Sequence, residues 1–198
     1  GLFLYLFLGQ DWTKRRLFSM KAEDDRRLQD IVVAQRSELE SFAKDTRYER
    51  FVSIIRMLLE SNRAFITADN TLTLFTDGTA KFESLFDAIR AARHHIHLEY
   101  YIIRDDALSR ELIGLLTEKA REGVEVRLLA DSLGMKVKKK NLKEFKQAGG
   151  KHAVFFPRIF TMNYRNHRKL AVIDGTTGYI GGYNIGEEYL GKGPLGYW

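Results

Sequence analysis

From about residue 71 the sequence alternates short apolar runs with longer amphipathic stretches, and this alternation limits the possible folds more than any other feature. Thr71–Thr76 reads as a short strand ended by Asp77-Gly78. A helix is predicted over Ala80–Arg93, with Phe82, Leu85, Phe86 and Ile89 on one side. Ile96–Ile103 is predicted as a strand, and Leu108–Arg121 as a helix closed by Gly123. Val124–Ala130 then reads as a buried strand, and Asn141–Ala148 as a helix stopped by Gly149-Gly150. Further strands are predicted at Ala153–Phe156, Lys169–Ile173 and Tyr179–Ile180. Strands separated by helices of this length imply an α/β fold whose sheet is mostly parallel and carries helices on its faces.

The first third of the chain reads differently. Residues 1–8 are almost wholly apolar, and Trp12, Lys14, Arg15 and Arg16 follow. An interfacial aromatic beside a basic flank is how the cytoplasmic end of a transmembrane helix reads. Eight residues are too few to span a bilayer, which takes about 20. The expectation is therefore the truncated end of such a helix over 1–9, then a charged helical linker over 10–66, then a catalytic domain over 67–198. In the linker, Leu28, Ile31, Val32, Gln35, Leu39 and Phe42 follow helical spacing, as do Phe51, Ile54, Ile55, Leu58 and Leu59.

Composition excludes some chemistry and localises the rest. The 198 residues contain no cysteine, so there is no disulfide, thiolate metal site or cysteine nucleophile. The net charge of +6 is unevenly spread. Residues 131–170 hold 11 Lys or Arg against two acids, Asp131 and Glu144. So local a basic stretch predicts an anionic partner such as a phospholipid headgroup, a nucleic acid or another phosphate compound. For Lys138, Lys139, Lys140, Lys143 and Lys146 a solvated helix face is an equal reading.

The chemistry is concentrated between Asn166 and Asn184. His167 and Lys169 stand two apart at the start of an apolar strand, so their side chains project from the same face. An imidazole beside an ammonium suits a phosphate: the Lys neutralises an oxygen and a neutral imidazole can attack phosphorus. Asp174 ends the strand at a turn with Gly175. Gly181-Gly182 allows close backbone approach to a ligand, and Asn184 can bond a phosphate oxygen or hold the His or Lys.

This H-x-K-x4-D-x6-G-G-x-N pattern resembles the signature of the phospholipase D superfamily. Six fixed positions would match by chance at a given site roughly once in 10⁷–10⁸. The flanks resemble bacterial cardiolipin synthases in particular: His97-Leu98-Glu99-Tyr100-Tyr101-Ile102-Ile103-Arg104-Asp105-Asp106, and Gly181 through Gly191. The resemblance implies a phospholipase D-like α/β/α sandwich with a mostly parallel mixed sheet, at the bacterial cell membrane, with the catalytic domain on the cytoplasmic side. It implies conversion of two phosphatidylglycerol molecules to cardiolipin and glycerol, through a phosphohistidine and without metal or cofactor. Carried over by position, His167, Lys169 and Asp174 would be catalytic, with Gly181, Gly182 and Asn184 shaping the phosphate pocket. Glu99 shares strand parity with His97 and Tyr101 and is a further candidate for that pocket, against a paired structural carboxylate.

Only one copy of the motif occurs, whereas the superfamily builds a site from two. The second half would come from a longer parent chain or from a homodimer mate, and a single half would be inactive. Which role His167 takes, nucleophile or general acid, stays open. Two alternatives remain: a dimeric superfamily endonuclease or phosphodiesterase, and a non-catalytic fragment that binds anionic lipid. The membrane-like start argues against nucleic acid. His94, His95 and His97 lack the spacing of a zinc site, and His152 reads as structural. Tyr164 and Arg165 could touch headgroups, and Gly191-Lys192-Gly193-Pro194 lacks a P-loop pattern.

Overall fold

The computed structural model describes residues 26, 28–67, 70–155 and 165–192. The expected membrane end over 1–9, its flank Trp12–Arg16, Tyr164 and the end of the 191–194 segment lie outside them. The chain divides between Leu72 and Thr73 into two compact units. Among the described residues no helix is long and apolar enough to cross a membrane.

Among the described residues, the first unit holds two helices, α1 (Gln29–Lys44) and α2 (Val52–Asn62), joined by a 3₁₀ turn over Glu49–Phe51. Its apolar seam is thin: Val32, Leu39 and Leu59 are buried, with Phe42 and Ile55 packed against them. Gln35, the one polar member of the α1 stripe, brackets the peptide of Ile66. Its Nε2 donates to the Ile66 carbonyl at 2.6 Å and its Oε1 accepts from the Ile66 N–H at 2.8 Å. Phe51, Ile54, Met57 and Leu58 remain exposed.

The second unit holds α3 (Gly78–Ala91), β1 (His95–Tyr100), α4 (Ala107–Arg121), β2 (Glu125–Asp131), α5 (Lys139–Gln147), β3 (Lys151–Phe155), β4 (Lys169–Ile173) and β5 (Thr177–Ile180). A 3₁₀ turn over Glu187–Leu190 follows. Local chemistry sets the helix ends. Asp77 accepts from the Ala80 N–H at the start of α3. Asp106 and Ser109 form a reciprocal capping box on α4, satisfying two otherwise unpaired N–H groups. Gly123 and Gly149, at φ +91° and +101°, let the chain leave α4 and α5 through a left-handed residue.

The five strands lie in the order β3-β2-β1-β4-β5. β1, β2 and β3 are parallel, as expected of strands joined through helices. β4 is antiparallel to both of its neighbours, β1 and β5, so four of the five strands point the same way and the sheet is mixed, as expected. The predicted strand at Thr71–Thr76 is absent: this segment pairs with no described strand, and Leu72 and Leu74 are 93% and 84% exposed. Alternation alone gave that segment no partner to bury against.

α3, α4 and α5 cover one face of the sheet. Phe82, Leu85, Ile89, Leu112, Leu116 and Phe145 pack there on Ile96, Leu98, Val126, Leu128, Ala171 and Ile173. The opposite face carries His97, Glu99, Arg127, Leu129, Leu170 and Val172 along an open groove of about 400 Å³. A second helical layer is not among the described residues.

Two contacts lock strand ends. At the β4–β5 turn, Asp174 adopts φ +52° and Gly175 φ +70°. The Asp174 carboxylate accepts from the N–H groups of Arg93, His94 and His95 at 2.8–2.9 Å. These bonds hold its pKa down at about 2. At the other end of β1, the loop after β2 lies directly on the strand. A Cβ on Gly134 would stand 1.8 Å from the Tyr101 carbonyl oxygen.

Two stability changes are expected. Asp174→Asn keeps the left-handed conformation but loses the charge, so it lowers the melting temperature at neutral pH. A carboxylate with a depressed pKa stabilises above its unfolded value of 3.8 and loses that contribution as pH falls through about 2. The difference from wild type should therefore shrink below pH 4 in melts across pH. Gly134→Ala should destabilise by about 2 kcal/mol in urea unfolding, because a backbone atom must move to admit the methyl group.

Candidate functional site

The parallel strands β1 and β2 end where antiparallel β4 begins, and the motif lies at that edge. Lys169 is the first residue of β4 and pairs with Tyr100, the last of β1. Its side chain therefore shares the helix-covered face with Tyr100, and only 7% of Lys169 is exposed. Burial draws its pKa below the ordinary lysine value. The Lys169 ammonium donates to the His167 carbonyl at 2.6 Å and lies 2.9 Å from His167 Nδ1. The expected pairing of these two side chains is thus present as a direct contact.

Tyr101 completes the cluster. Its ring centre is 4.6 Å from that of His167, 5.3 Å from the Lys169 ammonium and 5.5 Å from the Arg165 guanidinium. Beneath it, Lys81 from the first turn of α3 donates to the Tyr100 hydroxyl at 3.1 Å. Burial pulls the Lys81 pKa down to about 7 and pushes the Tyr100 phenol up. Near neutrality Lys81 is therefore only partly a fixed charge beside the motif.

Two carboxylates hold the segment that leads into His167. Asp131, fully buried at the end of β2, accepts from Arg165 Nη2, from the Asn166 N–H at 3.2 Å and from the Leu133 N–H at 3.0 Å. Glu99 accepts from Asn166 Nδ2 and lies 3.6 Å from the Arg168 guanidinium. Asn166 Oδ1 in turn accepts from the Arg168 N–H. A buried carboxylate is tolerated when donors fill its lone pairs, and here those donors come from the motif's approach.

Of the other expected site residues, Glu99 and Asp174 are not brought into this cluster, while Gly181, Gly182 and Asn184 follow the strand that pairs with β4. Glu99 pairs with Leu170, not Lys169, so it belongs to the opposite sheet face and is not brought into the Lys169–His167 cluster. Asp174 stands at the far end of β4, bound to the α3–β1 turn. Asn184 Oδ1 accepts from the Ile102 N–H at 3.1 Å, and its Nδ2 donates to the Tyr189 hydroxyl at 2.9 Å. It ties the turn after β5 to the chain beyond β1 and does not bond His167 or Lys169. A Cβ on Gly181 or Gly182 would meet nothing within 4 Å, so the packing of this chain does not require either glycine. His97 lies 3.1 Å from Glu125, whose pKa is drawn to about 2 by His97, Arg127 and Lys151.

The basic window separates into two sets. Lys139, Lys140, Lys143 and Lys146 sit on the exposed side of α5, while Phe145 faces the core. Lys136, Arg165 and Lys169 instead surround the edge that carries His167. Sequence reasoning overlooked Asp131 and Tyr101 as site residues. A lone acid closing a buried apolar strand inside a basic window was the available signal for Asp131.

The chain matches the family described as cardiolipin synthase, PLD-like domain, over residues 85–192. Cardiolipin synthase 2 of Staphylococcus epidermidis is 44% identical over 208 residues, covering 100% of this chain and 43% of the relative. The major cardiolipin synthase ClsA of Bacillus subtilis is 41% identical over 209 residues, again covering 100% of this chain and 43% of the relative. The chain therefore spans less than half the length of these curated relatives. Among solved structures, NucT from Helicobacter pylori is similar with a TM-score of 0.43 at 17% identity, covering 56% of this chain and 70% of that one. With the motif and its clustered His167 and Lys169 in place, the chain belongs to the phospholipase D-like domain family of cardiolipin synthases.

Proposed function

We propose that this chain is one half of a phosphatidyltransferase that makes cardiolipin and glycerol from two phosphatidylglycerol molecules at the bacterial cell membrane. The observation that carries the reading is the Lys169–His167 contact at 2.9 Å, in a chain of this family. The other histidine would come from the rest of the polypeptide or from a second copy of the chain. The basic flank Lys14–Arg16 supports a catalytic domain on the cytoplasmic side.

In the reaction, one histidine nitrogen attacks the phosphorus of the first lipid. The bond from phosphorus to the glycerol headgroup breaks, and the second histidine gives the departing oxygen a proton. A free headgroup hydroxyl of the second lipid then attacks the phosphohistidine. The phosphorus–nitrogen bond breaks, and the second histidine takes the proton back. Lys169 neutralises a phosphoryl oxygen, and Gly181 and Gly182 leave room for the phosphate. Asp174 acts at a distance, by fixing the hairpin that carries the motif.

The hydrogen bond also bears on tautomers. An ammonium offers no acceptor, so His167 Nδ1 accepts from Lys169 and the ring proton sits on Nε2. An Nε2–H can donate to a leaving oxygen. Attack from the same nitrogen requires that proton to move to Nδ1, which a phosphate permits by drawing the ammonium away.

Purified full-length gene product given phosphatidylglycerol should form cardiolipin and glycerol in equal amounts. His167→Ala should lower the rate by about 100- to 10,000-fold, the range for loss of a general acid or base. Cardiolipin formed by His167→Ala at the wild-type rate would remove His167 from the mechanism.

A further inference from the structure

A second groove adjoins the catalytic cluster. It lies past the ends of β1 and β2, holds about 270 Å³, and is lined by Tyr101, Arg104, Leu133, Gly134, Lys136 and Arg165 together with Ile102. Tyr101 is the shared wall, since its ring also packs against His167. Among the described residues, three cations line the groove and no acid does. Two of them are held from outside: Asp131 holds Arg165, and Glu188 holds Arg104 through contacts of 3.1–3.2 Å. Neither carboxylate lines the groove. Lys136 is exposed and, among the described residues, has no carboxylate partner. Arg165 Nε is buried and, among the described residues, has no hydrogen-bond partner.

An arginine pre-ordered by a buried acid, in the same lining as an exposed ammonium, has the chemistry of a phosphate receptor. Leu133, 55% exposed at the same mouth, adds an apolar contact suited to an amphiphile. Gly134 makes the wall possible, because only a residue without Cβ lets this loop lie on the Tyr101 carbonyl.

We infer that this groove is a second phosphate subsite that receives the phosphodiester of the acceptor lipid while the first phosphate is at Lys169 and His167. The assignment rests on the reading of the chain as half of a phosphatidyltransferase, a reaction that needs two anionic lipids side by side. The groove's position, one aromatic ring away from His167, would bring the acceptor headgroup to the reacting phosphorus. The ligand is a phosphodiester monoanion on an apolar tail, which distinguishes it from free phosphate and from nucleic acid.

Lysine acetylation footprinting of the full-length gene product tests the subsite directly. Dihexanoyl phosphatidylglycerol below its micelle concentration should lower modification of Lys136 about fivefold and leave Lys140 on α5 unchanged. Dihexanoyl phosphatidylcholine, inorganic phosphate and a DNA oligonucleotide at equal concentration should protect less. Equal protection by phosphate or by DNA overturns the lipid assignment, and no protection of Lys136 overturns the subsite.

Kinetics test the acceptor role. Lys136→Gln should raise KM for phosphatidylglycerol three- to tenfold, the expected effect of losing a charged hydrogen bond at a partly solvated site. Lys140→Gln should not change it. A wild type that makes cardiolipin and a Lys136→Gln variant with unchanged KM overturn this inference alone. A wild type that makes none overturns the phosphatidyltransferase reading, and the acceptor role with it, whatever the footprint shows.

Discussion

β4 lies antiparallel to β1 with Lys169 opposite Tyr100, and the placement of the other charged groups follows from that pairing. It brings the start of β4, and with it His167, to the edge where β1 and β2 end. It sends Asp174 to the far end, where three backbone N–H groups hold it. It also sorts the charges by face, with Lys169 on the helix-covered side and Glu99 on the other. A slip of one residue would exchange the two faces, burying Leu170 in place of Lys169 and stranding the ammonium among open-face residues.

Holding a lysine, an imidazole and an arginine together carries an electrostatic cost that neighbouring groups offset. Lys169 is screened by the Tyr101 face and satisfied by the His167 carbonyl. Arg165 is held by Asp131, a carboxylate buried so completely that losing its donors would leave a charge without solvent. Lys81 is the third cation in the vicinity, and burial brings its pKa to about 7. The edge is therefore polarised without stacking three full charges against one another. Capture of a phosphate would relieve the remaining repulsion, consistent with a site whose ligand is an anion.

Much of the second unit was legible in the sequence. The helices and most strands lie within a few residues of their expected positions, and Lys169–Ile173 is a strand over the expected span. Capping residues and left-handed glycines are local signals, which is why Asp77, Gly123 and Gly149 mark their boundaries well. The failure at Thr71–Thr76 has the opposite cause. Alternation describes a half-buried strand, but whether a segment is a strand depends on a partner to bond with. The parallel strands were legible because they are the helix-linked ones, β1, β2 and β3.

Within the site, the sequence by itself determined that His167 and Lys169 come together. His167 and Lys169 project together because side chains on an extended chain repeat every two residues, a property of the backbone alone. Asp174 and Asn184 were recognisable as a pattern, but the pattern carried no information on what they bond. Only the tertiary structure decided that Asp174 fastens the α3–β1 turn, that Asn184 joins Ile102 to Tyr189, and that Asp131 and Tyr101 belong beside the motif. Those contacts join residues distant along the chain, and they arise from strand order, strand direction and burial, which no local periodicity encodes.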